Sequence, residues 1–345
     1  MSYSNTSLST AQKRIWFESQ SGDALHDYVV LAYELQGDFS FSILRQALSQ
    51  LVAENDIFRT TIFSAGKNLE RFVHEQMNVE LKCIHLEPDV DLYPTIQHLV
   101  TKPFNLSTGP LFRFTLLEKS SKNTIFLLTF HRLIINTCAL KKIMKEISEN
   151  YHALFHEKIA LIEKKTSYDD LVSYEKEYRK KSHYRETIRH WSNRIKDKQF
   201  YLDLTRLPNS EENLSSIRAE RLRLDEAFSK QIKNFCEAFS CTPEVLFLTT
   251  LQTLLYRYTN NDDIVINRVQ EIIYQENWKN LIGPTGNIVP WNVRLDSNTN
   301  FLALLKQNQQ FESYKKYYPD AHITDIVRTV RSRFNHHFDG FFSNV

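Results

Sequence analysis

A strand pattern that runs directly into a helix pattern constrains the fold of this chain more than any other feature. Residues 124–130 form a short apolar run rich in β-forming side chains, which predicts one buried strand. From Leu140 to Leu154 the apolar residues recur at the spacing of one helix face. The polar residues between them therefore lie at a rigid strand end just before a helix N-terminus, where anions are favoured. This segment is the first candidate for a functional site.

The length and composition indicate a two-lobed protein in which strands and helices are mixed. The chain has 345 residues, enough for two cores, and both halves combine the two patterns, so we expect an α/β (α+β) fold with lobes at residues 1–160 and 161–345. The net charge of +2 predicts no nucleic-acid or membrane partner. No signal-peptide pattern or long apolar run is evident, which favours a cytoplasmic location.

Cysteine and glycine usage argues against a metal or a bound cofactor. The four cysteines are scattered, and no pair of them has the CxxC spacing of a zinc or redox motif. With only 7 glycines, the chain lacks glycine-rich phosphate loops. The adjacent His336 and His337 have no further ligand cluster near them in the sequence. We therefore expect no metal site and no resident cofactor.

Five separate stretches resemble motifs of one family. They are LSTAQKRIWF from Leu8, FRTTIF from Phe58 with Arg59, PFNLSTGPLFRF from Pro103, the strand end at His131, and IGPTGNIVP from Ile282 with Gly283 and Asn287. Tyr168 and Asp170 in SYDDLVSY fit a weaker motif. In this order and at these separations, the stretches resemble the condensation domains of nonribosomal peptide synthetases, which belong to the chloramphenicol acetyltransferase-like superfamily.

The resemblance implies two acetyltransferase-like lobes in a V-shaped pseudo-dimer with a tunnel between them. Peptidyl or acyl carrier proteins, or other synthetase modules, would be the partners, and their phosphopantetheine arms would be the ligands. Members of the family continue beyond the position of Val345, so we expect an incomplete C-terminal lobe. Arg59, Thr137, Cys138 and Asn287 are expected to line the tunnel or to be structural.

The chain departs from the family pattern where the catalytic residues belong. Active members carry His-His-x-x-x-Asp-Gly; here His131 is followed by Arg132, and Asn136 and Thr137 replace the aspartate and the glycine. An arginine stays protonated and cannot accept a proton from an attacking amine. The family aspartate pairs with the arginine at position 59, so Arg59 must find another acceptor, for which the Asn136 side-chain oxygen is a candidate, or reach water.

Several roles remain open for these side chains. His131 fits either a base or, as is usual in the family, a structural histidine. Arg132 fits an anion or oxyanion site, or a plug bonded to backbone carbonyls. Cys138 fits an acyl-accepting thiolate near a helix N-terminus, or a buried inert thiol. The basic side of the following helix fits a carrier-protein contact or a solvated face; it comprises Lys141, Lys142 and Lys145.

The sequence favours a condensation-domain-like protein that has lost standard histidine-assisted amide-bond formation. Such a protein would act as a platform for a carrier protein or a tailoring enzyme. The alternative is an active acyl or peptidyl transferase that joins a carrier-bound thioester to an amine by positioning alone. Whether the chain is an enzyme thus depends on the residues around Arg132.

Overall fold

The computed structural model describes most of the chain, and the described residues form two compact units. Described are residues 6–19, 27–65, 68–87, 90–120, 123–157, 165–196, 222–271, 276–296, 298–315 and 321–334. The first unit contains residues 1–182 and 270–287, and the second contains residues 183–269 and 288–345. The division expected from the sequence, between residues 160 and 161, stays a prediction.

The first unit mixes strands and helices, as the sequence predicts. Its elements, in chain order, are β1 (Thr6–Ser7), α1 (Thr10–Ser19), β2 (Tyr28–Gln36), α2 (Phe41–Glu54), β3 (Thr60–Ala65), β4 (Asn68–Val73), β5 (Leu81–His85), α3 (Leu92–Val100), β6 (Phe112–Ser120), β7 (Asn123–His131), α4 (Leu140–Phe155) and α5 (Tyr168–Tyr178). The strand β7 and the helix α4 confirm the strand and the helix predicted for residues 124–130 and 140–154.

The sheet that carries the candidate site has the order β2-β7-β6-β5 among the described residues. Its centre is antiparallel, and Tyr28 lies opposite His131 while Phe112 lies opposite Phe130. Strand β5 runs parallel to β6 and forms the edge. Because β7 lies between β2 and β6, it is buried along almost its whole length, which holds its last residue rigidly.

Helices α1 and α2 begin where capping residues predict them. The Ser9 hydroxyl accepts from the Gln12 backbone N–H at 3.0 Å, and the Gln12 side chain accepts from the Ser9 N–H at 3.1 Å, as in a capping box. Ser40 caps α2 through the Ile43 N–H. The apolar face of α2, with Leu48 and Leu51 fully buried, packs into the same core as Phe130.

Two sequence-based element predictions are wrong. The β-forming residues at 57–63 predict one strand, but Asp56–Arg59 form a 3-10 turn and β3 begins only at Thr60. The charged segment 169–196 contains no glycine or proline and predicts one long helix, but α5 ends at Tyr178 and α6 (Ser182–Ile195) begins after a turn. In that turn the backbone N–H of Lys180 bonds back three residues, so the chain leaves the α-helical path.

The second unit is built largely from helices. Its further elements are α7 (Glu226–Ala238), α8 (Pro243–Thr259), β8 (Asp263–Glu271), β9 (Gly286–Arg294), α9 (Phe301–Lys315) and α10 (Ile323–Phe334), and β8 pairs with β9. The Trp291 indole N–H donates to Asn308 at 2.7 Å, and the Asn308 amide donates to Thr249 at 2.9 Å and Gln252 at 2.7 Å. This network gives the buried Trp291 indole and the buried Asn308 amide their partners within the unit.

Some sequence predictions fall on residues that lie outside the described ranges. They include the irregular segment 201–213, most of the strand expected at 218–224, most of the linker expected at 158–168, and the histidines at 336 and 337. Among the described residues, no helix has the length and apolar character needed to cross a membrane.

Candidate functional site

His131 is the last residue of β7 and is held from several sides. Its backbone N–H donates to the Leu111 carbonyl at 2.9 Å, and the Leu133 backbone N–H donates to its Nδ1 at 3.1 Å. The ring meets Tyr28 and Phe104 edge-on, with centroids 6.3 and 6.1 Å away. Only 5% of the residue is exposed. These contacts fix the ring orientation and place the ring proton on Nε2.

The electrostatic surroundings of His131 make it a poor base. Burial, together with the positive charge of Arg132, lowers the pKa of His131 to about 4. The imidazole is therefore neutral at pH 7, and it gains little by accepting a proton there. The bonding of Nδ1 and the low pKa both favour the structural role over the catalytic one.

Arg132 meets a carboxylate from helix α1. Its guanidinium donates to Glu18 Oε2 at 3.3 Å, and Glu18 Oε1 also accepts from Arg14 at 2.5 Å. The three side chains are 28%, 12% and 8% exposed. From the sequence we expect backbone carbonyls or an external anion as partners for Arg132. The partner in the structure, Glu18, is not among them. The spacing of Arg14 and Glu18, four residues apart on a helix, was the available signal for a charged cluster.

Asn136 stands at the start of a directed hydrogen-bond chain. Its Oδ1 accepts from the Ala139 backbone N–H at 3.0 Å, and its Nδ2 donates to the Thr285 hydroxyl at 3.4 Å. That hydroxyl donates to Glu271 Oε1 at 3.1 Å, which also accepts from Lys142 at 2.7 Å. Asn136 therefore caps the turn before α4 and ties it to the segment 270–287 of the same unit.

Arg59 has no contact with Asn136, so the suggested pairing between them is wrong. The Arg59 guanidinium donates to the carbonyls of Val52 at 3.3 Å, His74 at 2.6 Å and Glu75 at 3.1 Å. Neutral carbonyls thus satisfy its donors, and the side chain is only partly buried. The missing carboxylate at position 136 leaves no buried charge without acceptors at Arg59.

The remaining candidate residues lie near this strand end or at the start of β9. Thr137 is exposed at the start of a 3-10 turn, Thr137–Ala139, that also contains Cys138. The side chain of Cys138 is outside the described part of the chain, so both of its roles stay predictions. Asn287 lies in β9 with its side chain buried, which fits a structural role.

The basic side of α4 is partly neutralised within the chain. Lys142 donates to Glu271, and it is only 19% exposed. Lys145 lies 3.6 Å from Glu149 in an exposed i,i+4 pair, which is worth little in solution. Lys141 is exposed. The predicted contact of this side with an acidic carrier protein stays a prediction.

Several motif residues meet at one buried point beside the strand end. Gln12 Nε2 donates to the Leu133 carbonyl at 2.9 Å. The Tyr168 hydroxyl lies 2.8 Å from Ser9 Oγ and donates to the Pro284 carbonyl at 2.9 Å. Gly283 packs directly against the Tyr168 ring. The motifs at the N-terminus, at Tyr168 and at Gly283 are thus parts of one assembly that positions the strand end.

The comparisons with known proteins agree with this architecture. A family model described as the condensation domain matches residues 3–344. The nonribosomal peptide synthetase agiA of Aspergillus flavus is 24% identical over 335 residues, which are 94% of this chain and 4% of that protein. The chain thus spans a small fraction of the length of such a curated relative.

Solved structures show the same fold. The first condensation domain of the calcium-dependent antibiotic synthetase, bound to a substrate analogue, gives a TM-score of 0.81 at 18% identity and covers 95% of this chain and 77% of that chain. The complex of the X-domain and OxyB from teicoplanin biosynthesis gives a TM-score of 0.78 at 20% identity, and the match covers 96% of this chain and 74% of that chain. These matches confirm the mixed helix-and-sheet, acetyltransferase-like fold that the sequence predicted. The family model extends over nearly the whole length as well, so the chain belongs to the condensation domain family.

Proposed function

We propose that this chain serves nonribosomal peptide biosynthesis as a binding platform and does not carry out histidine-assisted amide-bond formation. Its partner would be a carrier protein with a phosphopantetheine arm, or a tailoring enzyme that acts on the carrier-bound peptide. The observation that carries the proposal is the pairing of Arg132 with Glu18 at the position where the family has its second histidine.

The chemistry of the strand end supports the loss of the base. A guanidinium stays protonated at any physiological pH, so Arg132 cannot accept the proton of an attacking amine. Its neighbour His131 does not replace the missing group, because its Nδ1 is bonded to Leu133 and burial lowers its pKa to about 4. General base catalysis needs a group that titrates near the working pH.

The similarity to a partner-binding protein supports the second half of the proposal. The X-domain of teicoplanin biosynthesis shares the fold and has been solved as a complex with OxyB. At 20% identity this likeness concerns the fold, so a platform role for the present chain is an inference by analogy. The exposed basic residues of α4, Lys141 and Lys145, are a candidate contact for an acidic carrier protein.

The proposal is tested by separating binding from chemistry. A phosphopantetheinylated carrier protein is immobilised, and retention of the chain is compared with retention on the carrier that lacks the arm. In parallel, donor aminoacyl thioesters and amine acceptors, both on carriers, are incubated with the chain, and amide products are measured by mass spectrometry. We expect retention by the loaded carrier and no amide above the protein-free control.

Substitution of Arg132, with Arg45 as the control, distinguishes the proposal from the transferase alternative. If the wild-type chain forms amide and Arg132→Ala leaves the rate unchanged, the platform proposal is refuted and positioning alone drives catalysis. If Arg132→Ala abolishes the product while Arg45→Ala, at an exposed site on α2, does not, Arg132 takes part in the chemistry. Failure of any loaded carrier to retain the chain refutes carrier binding.

A further inference from the structure

The edge of the first unit's main sheet brings three potential metal ligands together. Cys83 and His85 lie two residues apart in β5, and residues two apart in a strand point to the same face of the sheet. In the parallel pairing with β6, His85 lies opposite Glu118 and Cys83 lies opposite Leu116. The strand register thus places a thiol, an imidazole and a carboxylate on one side of the sheet.

The distances within this cluster are short. His85 Nδ1 lies 2.6 Å from Glu118 Oε2, and one ligand atom from each of the three side chains lies within 4.8 Å of the other two. Cys83 packs against the apolar core, whereas the His85 side chain is 84% exposed and that of Glu118 is 32% exposed. One ligand is therefore anchored, and another is free to adjust.

We propose that Cys83, His85 and Glu118 form a Zn²⁺ site with three protein ligands and a fourth position open to water. Zinc takes thiolate, imidazole and carboxylate ligands in a tetrahedron, with bonds of about 2.0–2.3 Å. Such bonds place ligand atoms about 3.3–3.7 Å apart. On binding, the 2.6 Å separation of His85 and Glu118 would therefore widen and any separation near 4.8 Å would shorten. A zinc spacing is absent from the sequence because the ligands come from two strands.

The protonation states define how the ion binds. Cysteine binds zinc as the thiolate, so a protonated thiol must lose its proton when the ion binds. Zinc binding breaks the S–H bond and forms a Zn–S bond, and the proton leaves to solvent. For His85 Nδ1 and Glu118 Oε2 to bind the ion as well, the hydrogen bond between them breaks and the ring proton moves from Nδ1 to the exposed Nε2, so that each atom then forms one bond to zinc.

Among the described residues, two other pairs of side chains are competitors for a metal ion. The His152 and His156 rings lie 4.4 Å apart at the end of α4. Cys241 is hydrogen-bonded to Cys236 in the second unit. Each pair supplies one kind of ligand atom, so the test must report the thiolate and must identify which cysteine provides it.

Cobalt provides that report, because Co²⁺ binds at zinc sites and a bound thiolate gives an intense near-ultraviolet charge-transfer absorption. The metal-free chain is titrated with Co²⁺ while the absorption band is recorded. Zn²⁺ is then added to displace the bound Co²⁺, and the loss of the band is measured. We expect one equivalent to saturate the band, Cys83→Ser to abolish it, and Cys241→Ser to leave it unchanged. His85→Gln, at an exposed position that does not threaten folding, should weaken Zn²⁺ binding at least about 10-fold, as should Glu118→Gln.

Three results would overturn the site. They are no charge-transfer band in the wild-type chain, a band that survives in Cys83→Ser, and Zn²⁺ affinity that is unchanged in His85→Gln. His152→Gln is the matched histidine control, and an equal loss of affinity in that variant would assign the ion to α4 instead. Isothermal titration in two buffers of different ionisation enthalpy should also show proton release on Zn²⁺ binding, which Cys83→Ser should reduce.

Discussion

Replacing Gly283 by alanine should destabilise the first unit by about 2–6 kcal/mol. Gly283 has φ +152°, a backbone conformation that only glycine adopts easily, and forcing alanine into it costs about 1–3 kcal/mol. An alanine Cβ would also lie 2.3 Å from Cε2 of Tyr168. The ring cannot move away freely, because its hydroxyl is bonded to Ser9 and to the Pro284 carbonyl. Overpacking of this kind adds about 1–3 kcal/mol.

Gly37 supplies the matched control for this prediction. It has φ +90°, and an added Cβ would meet nothing within 4 Å, so Gly37→Ala carries the backbone strain without the clash. Urea unfolding followed by circular dichroism gives the free energy of unfolding of both variants and the wild type. If Gly283→Ala loses no more stability than Gly37→Ala, the contact with Tyr168 is not rigid and the reasoning fails.

Two further predictions concern buried polar groups of the same unit. Burial holds the pKa of His131 near 4 in the folded chain, so the unfolded chain takes up the histidine proton first as the pH falls. The free energy of unfolding should therefore fall by about 3 kcal/mol as the pH drops from 6.5 to 4. His131→Gln should remove that part of the dependence of stability on pH. Tyr168→Phe leaves the Ser9 hydroxyl and the Pro284 carbonyl without this partner and should cost about 1–3 kcal/mol in urea unfolding, and an unchanged midpoint would contradict it.

Elements with local start signals could be predicted from the sequence. Helix α8 begins at Pro243 behind its cap Thr242, whose hydroxyl accepts from the Val245 N–H at 3.3 Å. Strand β2 has the predicted bounds, Tyr28–Gln36, because β-forming residues end there at the turn residue Gly37. In both cases the residues that decide the boundary are neighbours in the chain.

The break between α5 and α6 could not be predicted, because residues 169–196 contain no glycine or proline. The turn is instead accompanied by side-chain packing. Tyr174 and Tyr178 stack with their centroids 5.6 Å apart, and the Lys181 ammonium lies 5.7 and 5.4 Å from their ring centroids. Such contacts depend on the folded chain and leave no pattern in the sequence.

The candidate site also has one part that could be predicted from the sequence and another part that could not. The strand end at His131 could be predicted, since it follows from one continuous segment of the sequence. The sequence did not identify Glu18 as the partner of Arg132, because the two residues are 114 positions apart and meet only when α1 lies beside the end of β7. The carbonyl partners of Arg59 also belong to the folded backbone alone.

The hydrogen bonds of Asn136 couple this position to a distant part of the chain. Donors run in one direction, from the Asn136 amide to the Thr285 hydroxyl and from that hydroxyl to Glu271. An aspartate at position 136 would only accept, so two carboxylates would compete for the single hydroxyl proton of Thr285. Replacing Asn136 by aspartate alone would therefore remove a donor from this hydrogen-bond chain, and restoring the pairing would require a second change at Thr285, 149 residues away in the sequence.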